Sequence, residues 1–431
     1  MFKILSGPRL NLLGRGAPYG SSGQYGVISD PTADANYPIA NLYDGRPANP
    51  CRLTAAALGQ SITFSNNLIP NGDFEQGITG WTAVSATPTS ESGAGNFHKG
   101  SKSLKLVTSA PNGYAQPADV IVQAGEYFQV WAAAKSDGNS SASVRVRCLE
   151  TARDLKSDGT WDALGTNVMT KTGNTMTAFT PVAFRAPSFV ELGQATATLR
   201  VMLIGSANAM TLYFDEVLLV PGFNFIGVFG HGWPASSGLY VDDSGASYWH
   251  SPSWSGALVG TAGNAALVRQ SAGVQAGSMQ YSPFPRVNIA PGGSLATILS
   301  PLVPWVGELV VGQTRDLGRN PDYPFSIENR APNVRYATAA GSQWALPRGA
   351  SPLRRVTMSV AYHSDADYQA DRDAIYGMSL GGAYPLILIP TETDASEAIY
   401  GRLEDSATFQ RVGYGERRVE YVLQEDALPW A

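Results

Sequence analysis

The sequence predicts an all-β protein made of several β-sandwich modules, with a C-terminal mainly-β module that holds one helix. Three observations predict this. Gly (46) and Pro (28) interrupt the chain too often for long helices. Val, Thr, Ile, Tyr and Phe dominate the segments between them. Several of those segments alternate apolar and polar side chains with period two, as half-buried strands do. A chain of 431 residues exceeds the size at which one core keeps growing, so about two to four domains are expected.

Charge and cysteine usage narrow the function classes. Thirty Lys and Arg against 35 Asp and Glu give a formal net charge of -5 and no basic stretch to follow a phosphate backbone, so nucleic acid is not an expected partner. The two cysteines, Cys51 and Cys148, fall in different predicted modules, which argues against a disulfide and for folding in a reducing cytoplasm. The opening MFKILSGPRLNLLGRG lacks the apolar run of a secretory signal, and no segment is apolar enough to span a bilayer.

Along the chain, residues 1–66 read as an arm followed by strands, one of them in GQSITF. Residues 67–221 form the most legible unit. Leu104 and Leu106 alternate with polar neighbours, and Val144, Val146 and Cys148 alternate with Arg145 and Arg147. ATLRVMLIG and TLYFDEVLLV read as a closing hairpin with Leu212 and Phe214 on one face, Tyr213 and Asp215 on the other. Asp73 and Glu216 are expected on the solvated surface. Residues 222–313 hold further strands, ending in PWVGELVVG. Residues 314–431 add strands in RRVTMSVAYH, YPLILIP, AIYGRL and RRVEYVLQE. The one predicted helix runs from a Ser364 or Asp365 cap to Met378, with Tyr368, Ile375 and Met378 on one stripe, and glycines stop it at Ser379 to Gly382.

The ordered series in residues 67–221 is Asn71-Gly72-Asp73-Phe74-Glu75 with Trp81, then Gly100 to Lys105, Ala124 to Lys135, and Tyr213-Phe214-Asp215-Glu216-Val217. It resembles the carbohydrate-binding jelly rolls attached to bacterial xylanases and related glycanases. The flanks, NLYDG with SITF before it and FNFIGVFGHG after it, resemble a discoidin-like jelly roll of phage tail proteins interrupted between two strands; Gly232 stands where that family has Asn. The C-terminal residues resemble modules of phage tail and baseplate proteins.

These resemblances imply a non-enzymatic structural component of a phage tail tip or baseplate, located in the virion tail and assembled in the host cytoplasm. Its partners would be other tail proteins, further copies of itself and a host surface glycan. A secreted carbohydrate-binding accessory protein of a bacterium is the alternative, and a virion decoration without a sugar site is another. The jelly-roll relatives place carboxylates matching Glu75 and Asp215 near a structural Ca²⁺, with carbonyls from Gly100 to Ser103, the hard oxygen ligands that ion prefers. Without an ion, the same side chains would cap turns or accept backbone N–H bonds.

Sugar binding needs exposed aromatic faces. Trp81 matches a core position and Trp131 lies in an apolar run, so Tyr114 and Trp161, in Gly/Asn/Asp-rich surroundings, are the ligand candidates. No catalytic residue is expected. His231 has no nucleophile partner, and His98, His250 and His363 lack metal-site spacing.

Overall fold

The computed structural model describes residues 67–223, apart from 139 and 195, and shorter segments elsewhere between residues 3 and 425. Antiparallel strands dominate the described residues, as an all-β protein requires. His231, His250 and the expected helix stop at Ser379 to Gly382 lie outside them.

Four strands precede the central unit: β1 (Lys3–Ser6), β2 (Val27–Ser29), β3 (Cys51–Arg52) and β4 (Ser61–Phe64). The central unit opens with β5 (Thr82–Val84), β6 (Ala86–Glu91), β7 (Ser103–Thr108), β8 (Tyr114–Gln116), β9 (Val120–Gln123) and β10 (Tyr127–Lys135). It continues with β11 (Ser141–Cys148), β12 (Arg153–Leu155), β13 (Trp161–Asp162), β14 (Met169–Thr172), β15 (Thr177–Ala178) and β16 (Val182–Arg185). A four-residue helix, α1 (Phe189–Leu192), then leads to β17 (Thr196–Gly205) and β18 (Thr211–Pro221). Ser188 and Glu191 cap α1 reciprocally, with Ser188 N donating to Glu191 Oε2 at 2.7 Å.

These strands form a two-sheet sandwich. The first sheet has the order β15-β10-β18-β7-β6 with β16 also on β10; the second runs β13-β12-β11-β17-β8-β5 with β14 on β11 and β9 on β17. Alternation decides what meets between them. Leu104, Leu106, Phe128, Val130, Leu212 and Phe214 from the first sheet face Val144, Val146, Leu199, Val201 and Leu203 from the second, all buried in one core. Cys148 is a free, buried thiol on the inner side of β11.

The expected closing hairpin does not form: β17 belongs to the second sheet and β18 to the first. Both strands send their apolar sides into the same core from opposite layers, so the short turn between them is a crossover. The ends of the unit meet, with Leu68 N donating to Leu219 O at 2.9 Å and Asn67 Oδ1 accepting from Leu219 N at 3.0 Å. Gly72 sits against this seam, where an added Cβ would lie 2.0 Å from Val217 O.

Strands on either side of the unit pair across it. After it come β19 (Phe225–Phe229), β20 (Gly238–Asp243), β21 (Ala265–Arg269), β22 (Pro285–Ala290), β23 (Trp305–Val306) and β24 (Glu308–Gly312). β22 pairs with β4 and β23 with β3, while β24 and β21 flank β19. The C-terminal segment contributes β25 (Arg315–Asp316), β26 (Ser326–Arg330), the hairpin of β27 (Asn333–Ala337) and β28 (Gln343–Pro347), and β29 (Leu353–Tyr362). It ends with β30 (Leu386–Ile389), β31 (Ile399–Leu403), β32 (Thr408–Arg411) and β33 (Arg417–Glu425). The N-terminal β1 lies between β25 and β30 of this last sheet. The helix here, α2 (Asp365–Arg372), is capped by Ser364 Oγ, which accepts from Asp367 N at 3.1 Å, and it buries Tyr368 and Asp371. Among the described residues no helix is long and apolar enough to cross a membrane.

Candidate functional site

The outer surfaces of the two sheets differ. On the first sheet, Trp131, Ala133, Leu218 and Val220 form a second apolar cluster against which Met176 and Tyr281 pack. Tyr281 lies beyond the sandwich in sequence, as does Gln313, whose side-chain amide accepts from Tyr127 N at 2.9 Å and donates to Tyr127 O and Gly222 O. The first sheet is therefore partly covered by flanking residues.

The second sheet presents hydrogen-bonding side chains outward. Register places Thr170, Ser143, Ile204, Tyr114 and Val84 in one row across five strands. The next row holds Arg145 opposite Met202, with Gln116 beside them on β8, and the row after that sets Asp154, Arg147 and Arg200 side by side. Each is on the outer side because its neighbours Ala115, Val144, Val146, Val201 and Leu203 are core.

Arginine pairing organises this face. Arg147 grips Asp154 through Nε and Nη2 at 2.7 and 3.0 Å, and Arg200 grips Asp119 the same way at 2.8 Å for both bonds. Asp154 is fully buried; its Oδ2 also accepts from Gly165 N at 2.6 Å and lies 3.6 Å from Arg145 Nε. Arg145 itself donates to Asn167 Oδ1 and Gly165 O. The hydrogen bonds to Asp154 and Asp119 raise the pKa values of Arg147 and Arg200, while burial lowers that of Arg145.

Tyr114 lies on this face, half-buried, close enough to Arg147 and Arg200 to interact electrostatically with both. Trp161 does not join it. Its strand pairs Trp161 with Leu155, a core residue, so the indole is on the inner side. Its Nε1 donates to Arg185 O at 2.7 Å and its ring meets Phe184 edge-on at 5.7 Å. Packing and that bond use up the indole, and the two aromatic candidates sit on opposite sides of the sheet.

Glu75 and Asp215 are both engaged by the loop between β6 and β7. Glu75 Oε1 accepts from Ser101 N and Lys102 N at 2.7 and 2.9 Å, and Oε2 from Ser101 Oγ. Burial works against its ionisation, but these bonds outweigh it and hold the carboxyl below its usual range. Asp215, fully buried, accepts from His98 N and Lys99 N at 2.6 and 2.9 Å. Burial pushes it up to about 7 despite those bonds, and neighbouring Glu216 adds to the push.

Calcium takes oxygen ligands, yet the loop turns N–H groups on both carboxylates. Among the described residues no group of three or more His, Cys, Asp or Glu is placed to hold a metal ion. Both carboxylates thus make the backbone N–H bonds expected of them without an ion, and the loop is tied to both ends of the sandwich by hydrogen bonds.

Glu216 departs from the expected solvated position. It is buried, with Oε2 at 2.7 Å from His98 Nδ1, and His98 meets Trp131 edge-on at 5.7 Å. Glu216 has φ +46°, and between Phe214 and Val217, both core residues, the chain holds two residues where alternation allows one. That bulge turns the two carboxylates toward the loop. Asp73 is partly buried, and burial raises its pKa.

Comparison with known proteins bears on the same unit. Residues 66–185 match the family model described as a carbohydrate binding domain. A solved family 16 carbohydrate binding module is 23% identical over 36% of this chain and 99% of its own, with a TM-score of 0.27. The C-terminal family 22 carbohydrate binding module of Clostridium thermocellum Xyn10B is 16% identical over 35% of this chain and 91% of its own, at 0.26. The enzymatically active domain of bacteriophage CBA120 tailspike protein 4 is 19% identical over 36% of this chain but only 21% of its own, at 0.26. No curated protein matches the sequence.

Proposed function

We propose that residues 67–223 are a non-catalytic glycan-binding module that uses the outer face of the second sheet. The supporting observation is that the stretch matching a carbohydrate-binding family folds into a sandwich whose first sheet is partly covered outside, while its second displays Tyr114 amid hydrogen-bonding groups. A pyranose has an apolar C–H face and a rim of hydroxyls. Tyr114 offers the apolar contact; Thr170, Gln116 and the guanidinium groups offer the bonds. The two carboxylates that grip arginines here, Asp154 and Asp119, are committed to those forks, so this face holds them as anchors for arginine and not as an acid–base pair.

The same reading gives the chain a setting: a structural component of a phage tail tip or baseplate, present in several copies, with the sandwich engaging a host surface glycan and copy number adding avidity. The flanking resemblance supports this setting. A secreted bacterial accessory protein would use the same face. Calorimetric titration of the full chain with plant, microbial and host-envelope polysaccharides tests the binding reading. Tyr114→Ala should weaken the interaction by about tenfold, the value of one lost stacking contact; a folded chain that binds no glycan would overturn it. Mass spectrometry of purified virions tests the setting, and absence of the chain from them would refute it.

A further inference from the structure

Resting on that reading, we infer that the glycan is acidic and that its carboxylate is received by the arginine row of the second sheet. The first observation is the number of donors left. A guanidinium carries five N–H groups, and the bonds made by Arg145, Arg147 and Arg200 run through Nε and Nη2 alone. Nη1 of each is used in none of them.

The second observation is electrostatic. Arg147 and Arg200 are cross-strand neighbours and Arg145 lies two residues from Arg147 on the same side. The neighbouring cations repel, Arg200 acting on Arg147 and Arg147 on Arg145, although the bonds to Asp154 raise the pKa of Arg147 on balance and burial is the main cause of the lowering at Arg145. Two carboxylates, Asp154 and Asp119, serve the three cations; Glu150, at the end of the same strand pair, spends its oxygens on Thr198 N. A bound carboxylate would relieve this repulsion and take bidentate bonds from the free edges.

The third observation is Tyr114, half-buried on the same outer side and near both Arg147 and Arg200, where its ring can lie against the C–H face of the sugar that carries the carboxylate. The face thus pairs carboxylate receptors with the aromatic Tyr114, which is the chemistry of a uronic acid residue.

The test compares polygalacturonate with its methyl ester, which keeps the sugar backbone and removes the charge, and with neutral galactan, using the full chain. Polygalacturonate should bind at least about tenfold tighter than its ester, and Arg200→Gln should weaken binding of the acid by about that factor and binding of the ester by clearly less. Arg200 pairs with a partly exposed Asp119, so its replacement leaves the buried Asp154 cluster intact. Equal or tighter binding of the ester or of galactan overturns the inference and leaves the glycan-binding reading standing. A folded chain that binds none of these but takes other neutral glycans does the same, and one that binds no glycan at all overturns both.

Discussion

Replacing Asp154 by alanine should cost the sandwich about 3–5 kcal/mol, because it removes a buried carboxylate on which a guanidinium and a backbone N–H depend. The carboxylate is fully buried and accepts from Arg147 Nε, Arg147 Nη2 and Gly165 N at 2.7, 3.0 and 2.6 Å, with Arg145 Nε at 3.6 Å. Its loss leaves the Arg147 cation and the Gly165 N–H without their acceptor and takes the nearby counter-charge from Arg145, which keeps its bonds to Asn167 and Gly165. The Arg147 and Arg145 side chains retain 26% and 13% exposure, so water recovers part of the loss and the lower end of the range applies. For a unit of this size, about 3 kcal/mol lowers the melting temperature by roughly 6–12 °C. Calorimetry of the full chain should show that shift in the transition belonging to the sandwich. Adding Arg147→Met should recover part of it, since an apolar side chain needs no counter-charge. A shift below about 2 °C would refute the reasoning, because it would mean that the cluster is solvated.

Three further outcomes are expected. Asp215, raised by burial from 3.8 to about 7, holds its proton more tightly when folded, so its contribution is present at low pH and is lost as pH rises through that window, on the order of 4 kcal/mol. His98, pushed down by burial, acts in the opposite sense as pH falls below 6.5; melting curves of the wild type and Asp215→Asn between pH 4 and 8 should diverge, and parallel curves would count against this. Trp161→Ala should lower stability by about 2–3 kcal/mol, at the low end for aromatics because the ring is only partly buried, yet leave glycan affinity of the folded protein within about twofold; a selective loss of affinity would return Trp161 to the binding surface. Calcium should leave the melting temperature unchanged, whereas a rise of about 5 °C or more at saturating ion would show a site that the hydrogen-bonded carboxylates do not suggest.

Period-two alternation made much of the sandwich legible. Val144, Val146 and Cys148 against Arg145 and Arg147, and Leu212 with Phe214, identified inner and outer sides correctly. It could not tell a hairpin from a crossover, because β17 and β18 each alternate properly whichever sheet they join. Nor could it foresee the bulge at Glu216, where one extra residue carries Phe214 and Val217 to the same side and draws the intervening carboxylates to His98. Trp161 misled through composition: Gly and Asp around it suggested a loop, but pairing with Leu155 turns the ring inward. The arginine face had a signal in the sequence, two arginines on the outer side of one strand and Arg200 in another. Only the register of β11 on β17 shows that Arg147 and Arg200 are neighbours.

The most direct test of the central claim is to map where a glycan lands. An oligosaccharide selected from the binding panel and carrying a diazirine, photolysed on the full chain, should label peptides of the second sheet's outer face that contain Tyr114, Arg147, Thr170 and Arg200. Labelling confined to the first sheet, at Thr87, Lys105 or Tyr213, would contradict the account.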